Sequence, residues 1–115
     1  MTLSEIGRVA TIAEMACVVV TDHPANAEAR ETLFNVLAPI ANPTFAAGQE
    51  GVSAYVQGLI RQACTFAEIT RTRIDASRGQ PARESFSAVS IQSGARELQR
   101  VLSDLIQGLA AGKNG

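Results

Sequence analysis

Few residues in this chain have side chains suited to catalysis or metal binding. His23 is the only histidine, and it lies in Asp22-His23-Pro24, where the apolar pattern breaks. A phosphotransfer bundle of this size needs its histidine exposed in the middle of a helix. One histidine also leaves little material for a metal site or for a Ser–His or Cys–His pair. We therefore predict that His23 lies at a helix junction, where an imidazole can meet the end of the preceding helix.

The two cysteines and the carboxylates also lack the spacing of an active site. Cys17 and Cys64 lie on apolar faces, which predicts buried thiols that pack as small hydrophobic groups. A redox-switchable pair is the alternative if their Cα atoms approach within about 7 Å. No carboxylate pair lies on a predicted inward face, as a di-iron bundle would need, and no nucleotide-binding motif is present. We expect no enzyme activity, no cofactor and no metal.

One group of charges is uneven along the chain. Positive charge clusters near the end of the third predicted helix and the turn after it, at Arg71, Arg73, Arg78 and Arg83. These arginines could complement the helix dipole, or they could bind an acidic protein surface or phosphate. Nucleic-acid binding is the weaker alternative, because the net charge is −1 and no aromatic residue lies among them for stacking on bases.

Composition limits the remaining possibilities. The chain has 115 residues, of which 46% are hydrophobic, 18% charged and 4% aromatic. These values are typical of one globular domain with a core of its own. No apolar run is long enough to span a membrane, and Glu5, Arg8 and Glu14 interrupt the stretch that could resemble a signal peptide. We expect a cytoplasmic protein.

The first twenty residues predict a helix from about residue 3 to 21. Its inward residues are spaced 3-4-3-4-3, and Thr2 with Glu5 fits a capping box. They are Leu3, Ile6, Ala10, Ala13, Cys17 and Val20. From Met15 to Val20 the helix is apolar on all sides, which predicts burial on all sides. A short strand over 18–20 is the alternative, because these valines are β-branched.

Three further helices follow from the same period. The second begins at Pro24 and ends near Leu37, and residues 39–50 form a loop. The third covers about 49–76, with an apolar face wide enough to touch two neighbouring helices or another chain. The last begins near Ser87, where Phe86 and Ile91 would form a hydrophobic staple, and it ends at Gly112.

These patterns predict an all-α, single-domain bundle of about four helices, with an up-down antiparallel order. The domain covers 1–112, and 113–115 form a frayed tail. We expect a non-catalytic protein–protein interaction module, such as an adaptor, chaperone or regulator, that acts as a homodimer. Its partner-binding residues are predicted to be Tyr55, Phe66, Ile69, Arg71, Arg73, Arg78 and Arg83. The alternatives are a nucleic-acid-associated regulator using 71–83 and an enzyme whose site forms between subunits.

Overall fold

The computed structural model describes residues 2–45, 51–78 and 85–114, without the side chains of 85–87 and 112–114. These ranges contain helices and turns and no strand. The helices are α1 (Leu3–Asp22), α2 (Ala27–Val36), α3 (Ala38–Ala41), α4 (Ala54–Ser77) and α5 (Ser85–Asn114), and a 3-10 turn covers Pro43–Phe45. The predicted all-α class is confirmed, and the strand alternative for 18–20 is wrong.

Helix α5 runs antiparallel to both α1 and α4. Its first half meets the end of α1, where Gln92 Nε2 donates to Thr21 O at 2.8 Å. Its second half lies beside the beginning of α1, where Gly7 faces Leu109. Against α4, Gly94 faces Thr70 and Gly108 faces Val56. The two contacts are the same number of residues apart in both helices, and their order along the chain is reversed, as in an antiparallel pair.

The segment α2–α3 forms the fourth side of the bundle and runs antiparallel to α4. Arg71 Nε donates to Phe34 O at 3.1 Å, and Cys64 Sγ lies 3.9 Å from Asn42 O. Contacts between α1 and α2 close the ring of helices. The order is therefore up, down, up, down, as predicted.

The core consists of the inward stripes that the helical period predicts. In α1, the five residues from Ile6 to Val20 in that stripe are fully buried. In α5, Ile91, Ala95, Leu98, Leu102 and Leu105 are also fully buried. Leu3 is an exception: it lies in the first turn of α1, at the open end of the bundle, and stays exposed.

The prediction that Pro24 begins the second helix is wrong. Asn26 caps α2 instead, because its side-chain oxygen accepts a hydrogen bond from Ala29 N at 2.9 Å. The turn before it is closed by Asn26 N, which donates to His23 O, and by Arg30 Nε, which donates to Pro24 O at 2.6 Å. Burial lowers the pKa of Arg30.

The predicted loop over 39–50 is wrong for its first part. Pro39 lies in the first turn of α3, where the missing N–H costs no helical hydrogen bond. The chain then continues into the 3-10 turn, whose Phe45 is fully buried. Residues 46–50 lie outside the described residues.

The ends of α4 and α5 also differ from the prediction. Helix α4 begins at Ala54, because Ser53 Oγ accepts a hydrogen bond from Val56 N at 3.2 Å. Helix α5 begins at Ser85, which places Ser87 inside the helix and not at its N-cap. The same helix continues past Gly112 to Asn114.

Candidate interaction surfaces

The seven residues predicted to bind a partner do not form one surface. Tyr55 lies in the first turn of α4, and Arg78 follows its last residue. A helix of that length separates them by about 35 Å. Arg83 lies outside the described residues. The structure therefore separates Tyr55, at the beginning of α4, from Arg71, Arg73 and Arg78 at its end. We call these three arginines the arginine region.

In the arginine region, two guanidinium groups lie over one aromatic ring. The Cζ atoms of Arg71 and Arg78 are 4.1 and 4.2 Å from the centre of the Phe34 ring. Such cation–π contacts contribute about 0.5–1 kcal/mol each at exposed sites. Both arginines therefore hold α4 against α2.

Arg78 also pairs with two carboxylates. Its Nη2 lies 2.8 Å from Glu31 Oε1, and its Nη1 lies 2.7 Å from Asp75 Oδ1. Arg78 Nε donates to the second oxygen of Glu31 at 3.1 Å, so the pair is bidentate. The hydrogen bond to Glu31 raises the pKa of Arg78, against a partial desolvation that lowers it. This guanidinium is satisfied within the chain.

Arg73 is directed to a different neighbour. Its Nη1 donates to Ser90 O in α5 at 2.9 Å. The same Nη1 lies close to Gly94, because a Cβ added to that glycine would be 3.1 Å from it. Arg71 and Arg73 thus bind opposite neighbours of α4. They do not present one shared basic surface.

The wide apolar face of α4 is explained by its position in the bundle. Helix α4 packs against α5 on one side and against α2 and α3 on the other. Phe66 is half-buried against the core. Ile69 and Tyr55 remain exposed, at 38% and 65%. Two neighbouring helices therefore account for most of this face.

One end of the bundle has a groove of about 870 Å³. It forms where α1 and α4 begin and α5 ends, and Gly108 allows the helices to approach there, since an added Cβ would lie 3.1 Å from Val56 Cγ2. Arg8 is the one charged side chain among its described lining residues. They include Leu3, Thr11, Tyr55, Val56, Ile106 and Leu109. The sequence did not indicate this groove, because its walls come from three distant segments.

Helix α1 has a second apolar face, opposite the core. Ile12, Met15, Val18 and Val19 are exposed at 49%, 66%, 38% and 49%. The prediction that 15–20 are buried on all sides is therefore wrong within one chain, because α2 and α5 cover only the other side of α1. Half of the exposed large hydrophobic residues in the described ranges lie on this face. We call it the α1 outer face.

The outer face has opposite charges at its two ends. Arg8, Ile12, Met15, Val19 and Asp22 follow one another at spacings of four, three, four and three residues. At 100° per residue these positions form one stripe. Arg8 and Asp22 are exposed, and neither has an ion-pair partner among the described residues.

The two cysteines lie within helices α1 and α4, and the histidine lies at the end of α1. Cys17 is fully buried, and burial, with the nearby charge of Glu14, raises the pKa of its thiol to about 12. Burial, and then the charge of Glu68, raises the pKa of Cys64. Both thiols are free. His23 is the C-cap of α1, where its N–H donates to Val19 O at 2.9 Å, which confirms the predicted junction.

Two other kinds of site are absent from the described residues. Among the described residues, no three His, Cys, Asp or Glu side chains gather where they could hold a metal ion. Within the same ranges, no helix combines the length and apolar character needed to cross a membrane.

Comparison of the chain with protein-family models, with curated proteins and with solved structures finds no match.

Proposed function

We propose that this protein is a non-catalytic protein–protein interaction module, of the adaptor, chaperone or regulator class, that acts as a homodimer. The α1 outer face is the surface through which two copies bind. The proposed compartment is the cytoplasm, where free thiols such as Cys17 and Cys64 stay reduced.

The exposure of the α1 outer face carries this proposal. Four large apolar side chains lie exposed on one side of a single helix, opposite a fully buried stripe. Contiguous apolar surface of this kind commonly marks an interaction site in a protein that is otherwise well packed. Its removal from water contributes about 25 cal/mol for each Å² buried.

The arrangement of charge favours a second copy as the occupant. A two-fold interface uses the same patch on both subunits, so the patch must complement itself. An apolar centre with a free cation at one end and a free anion at the other meets this requirement. A strongly acidic or basic partner would leave Arg8 or Asp22 facing a charge of its own sign.

Replacement of the most exposed residue of the face tests the proposal. We expect the wild-type chain to have the mass of a dimer at micromolar concentration and Met15→Glu to have the mass of a monomer. A charge at the centre of a buried apolar interface costs several kcal/mol. Light scattering coupled to size exclusion measures both masses, and circular dichroism checks the fold of each variant.

Val89→Glu is the matched control. Val89 lies on α5 and is 62% exposed, close to the value for Met15, so it introduces the same charge at a different surface. We expect this variant to remain dimeric. A wild-type chain with the monomer mass, or a Met15→Glu variant that stays dimeric, would overturn the proposal.

The arginine region gives less support to the other predicted partners. Arg71, Arg73 and Arg78 already donate to acceptors within the chain, and Arg78 is bidentate with Glu31. An acidic protein or a nucleic acid would have to compete with those acceptors. Binding of an acidic partner at 71–83 stays a prediction, as do the nucleic-acid alternative and an enzyme site formed between subunits.

A further inference from the structure

The orientation of the two copies follows from the positions of the charges on the α1 outer face. Arg8 and Asp22 each lie seven residues from Met15, on opposite sides of it. Seven residues are close to two helical turns, so the three residues share one stripe. The charges are therefore placed almost symmetrically about Met15.

Of the two possible orientations, parallel packing would create repulsion. Two parallel copies of α1 in register would place Arg8 beside Arg8 and Asp22 beside Asp22. Two antiparallel copies centred on Met15 would place Arg8 of each copy beside Asp22 of the other. Like charges at an interface cost several kcal/mol, whereas opposite charges fix its register.

The apolar residues between the charges fit the same arrangement. Spacings of four and three residues are those of a coiled-coil seam, which lets two helices pack at a crossing angle of about 20°. With Met15 on the axis, Ile12 of one copy lies near Val19 of the other. Both residues are aliphatic and exposed in the single chain.

We infer that two copies of this chain pair through antiparallel α1 helices on a two-fold axis at Met15, with two ion pairs between Arg8 and Asp22. This inference rests on the proposed homodimer and adds the identity, the register and the orientation of the residues that meet. Because the axis is perpendicular to α1, the grooves of the two copies lie at opposite ends of the dimer.

Charge reversal tests the two ion pairs. We expect Arg8→Asp and Asp22→Arg each to weaken dimerisation at least about tenfold, since each creates two like-charge contacts. The double variant exchanges the charges and should return the dissociation constant to within about threefold of the wild-type value. Sedimentation equilibrium measures all four constants. Arg61→Asp, an exposed arginine on α4, is the control for net charge, and we expect it to have no effect.

Cross-linking tests the orientation without relying on charge. In a Cys64→Ser background, a short bismaleimide should link Met15→Cys to itself, because that position lies on the axis. Arg8→Cys alone and Asp22→Cys alone should give no dimer band, whereas a mixture of the two should give one. Buried Cys17 is the common background, and the Cys64→Ser variant alone measures its contribution.

The possible failures separate the inference from the proposed function. If the wild type is a dimer that Met15→Glu dissociates, but the charge reversals have no effect or Arg8→Cys links to itself, the antiparallel geometry is wrong and the proposed function stands. If the wild type is a monomer throughout, the proposed function fails and this inference fails with it.

Discussion

Helix α1 has two apolar faces that are similar in composition and opposite in surroundings. Ile6, Ala13 and Cys17 are fully buried against the neighbouring helices, whereas Ile12, Met15 and Val19 are exposed. The inner face therefore determines the stability of the single chain. The outer face is exposed, and we have proposed that the folded chain binds through it. The comparison shows that apolar character alone does not tell which of these two roles a residue has.

The two isoleucines of α1 give the largest expected difference between the faces. We expect Ile6→Ala to lower the free energy of unfolding by about 3 kcal/mol, because it leaves a cavity in the core. Ile12→Ala should change it by less than about 0.5 kcal/mol in the monomer. Urea denaturation measures both changes, at a protein concentration below the dissociation constant of the dimer. Equal losses would show that the outer face is part of the folding core.

The buried thiol of Cys17 makes the inner face sensitive to alkali. Its pKa in the folded chain is about 12, against 9.0 when exposed, so the folded state keeps a proton that the unfolded chain loses. The contribution of the Cys17 thiol to the free energy of unfolding is therefore complete below pH 9. It is lost as the pH rises towards 12, at about 1.4 kcal/mol per pH unit.

Denaturation midpoints at a series of pH values between 8 and about 11 check this expectation. The comparison uses the slope with pH and not the absolute stability, since Cys17→Ala also removes a packed side chain. That variant should lose most of the alkaline slope. Cys64→Ala should reduce the slope less, because Cys64 is only half-buried. If the slope is unchanged in Cys17→Ala, the thiol of Cys17 is not its source.

Adjacent valines give the smallest expected difference. Val20→Thr places a hydroxyl in the core and should cost about 1 kcal/mol. The cost stays modest because the hydroxyl can donate to Ala16 O, as Thr21 Oγ1 does to Cys17 O at 2.8 Å. Val19→Thr should leave the stability of the monomer unchanged. Thermal unfolding of the two variants at one low concentration gives the comparison, and a similar loss in both would contradict it.

Much of the fold could be predicted from the sequence, because the helical period determines which side of each helix faces inward. The same period could not show that one of the two apolar sides of α1 is left uncovered. The predicted start of α2 at Pro24 is wrong because the sequence does not show which residue accepts the hydrogen bond from Ala29 N, and in the structure Asn26 accepts it.

The candidate surfaces were harder to predict than the fold, because they depend on contacts between distant residues. The arginine cluster was visible in the sequence, but its acceptors were not. Arg71 donates to a carbonyl 37 residues away, and Arg78 pairs with a glutamate 47 residues away. Counting charges in the sequence finds these arginines, but it does not show whether acceptors elsewhere in the chain already bind them.

The packing of α1 against α5 has a consequence for synthesis on the ribosome. The chain emerges from its N-terminus, so α1 is made long before Ser85–Asn114, the helix along which its inner face packs. During that interval the outer face of α1, and the part of its inner face that α5 covers, are without their neighbouring helix. The outer face remains open after α5 has docked, and in the proposed homodimer it is covered only when a second finished copy binds.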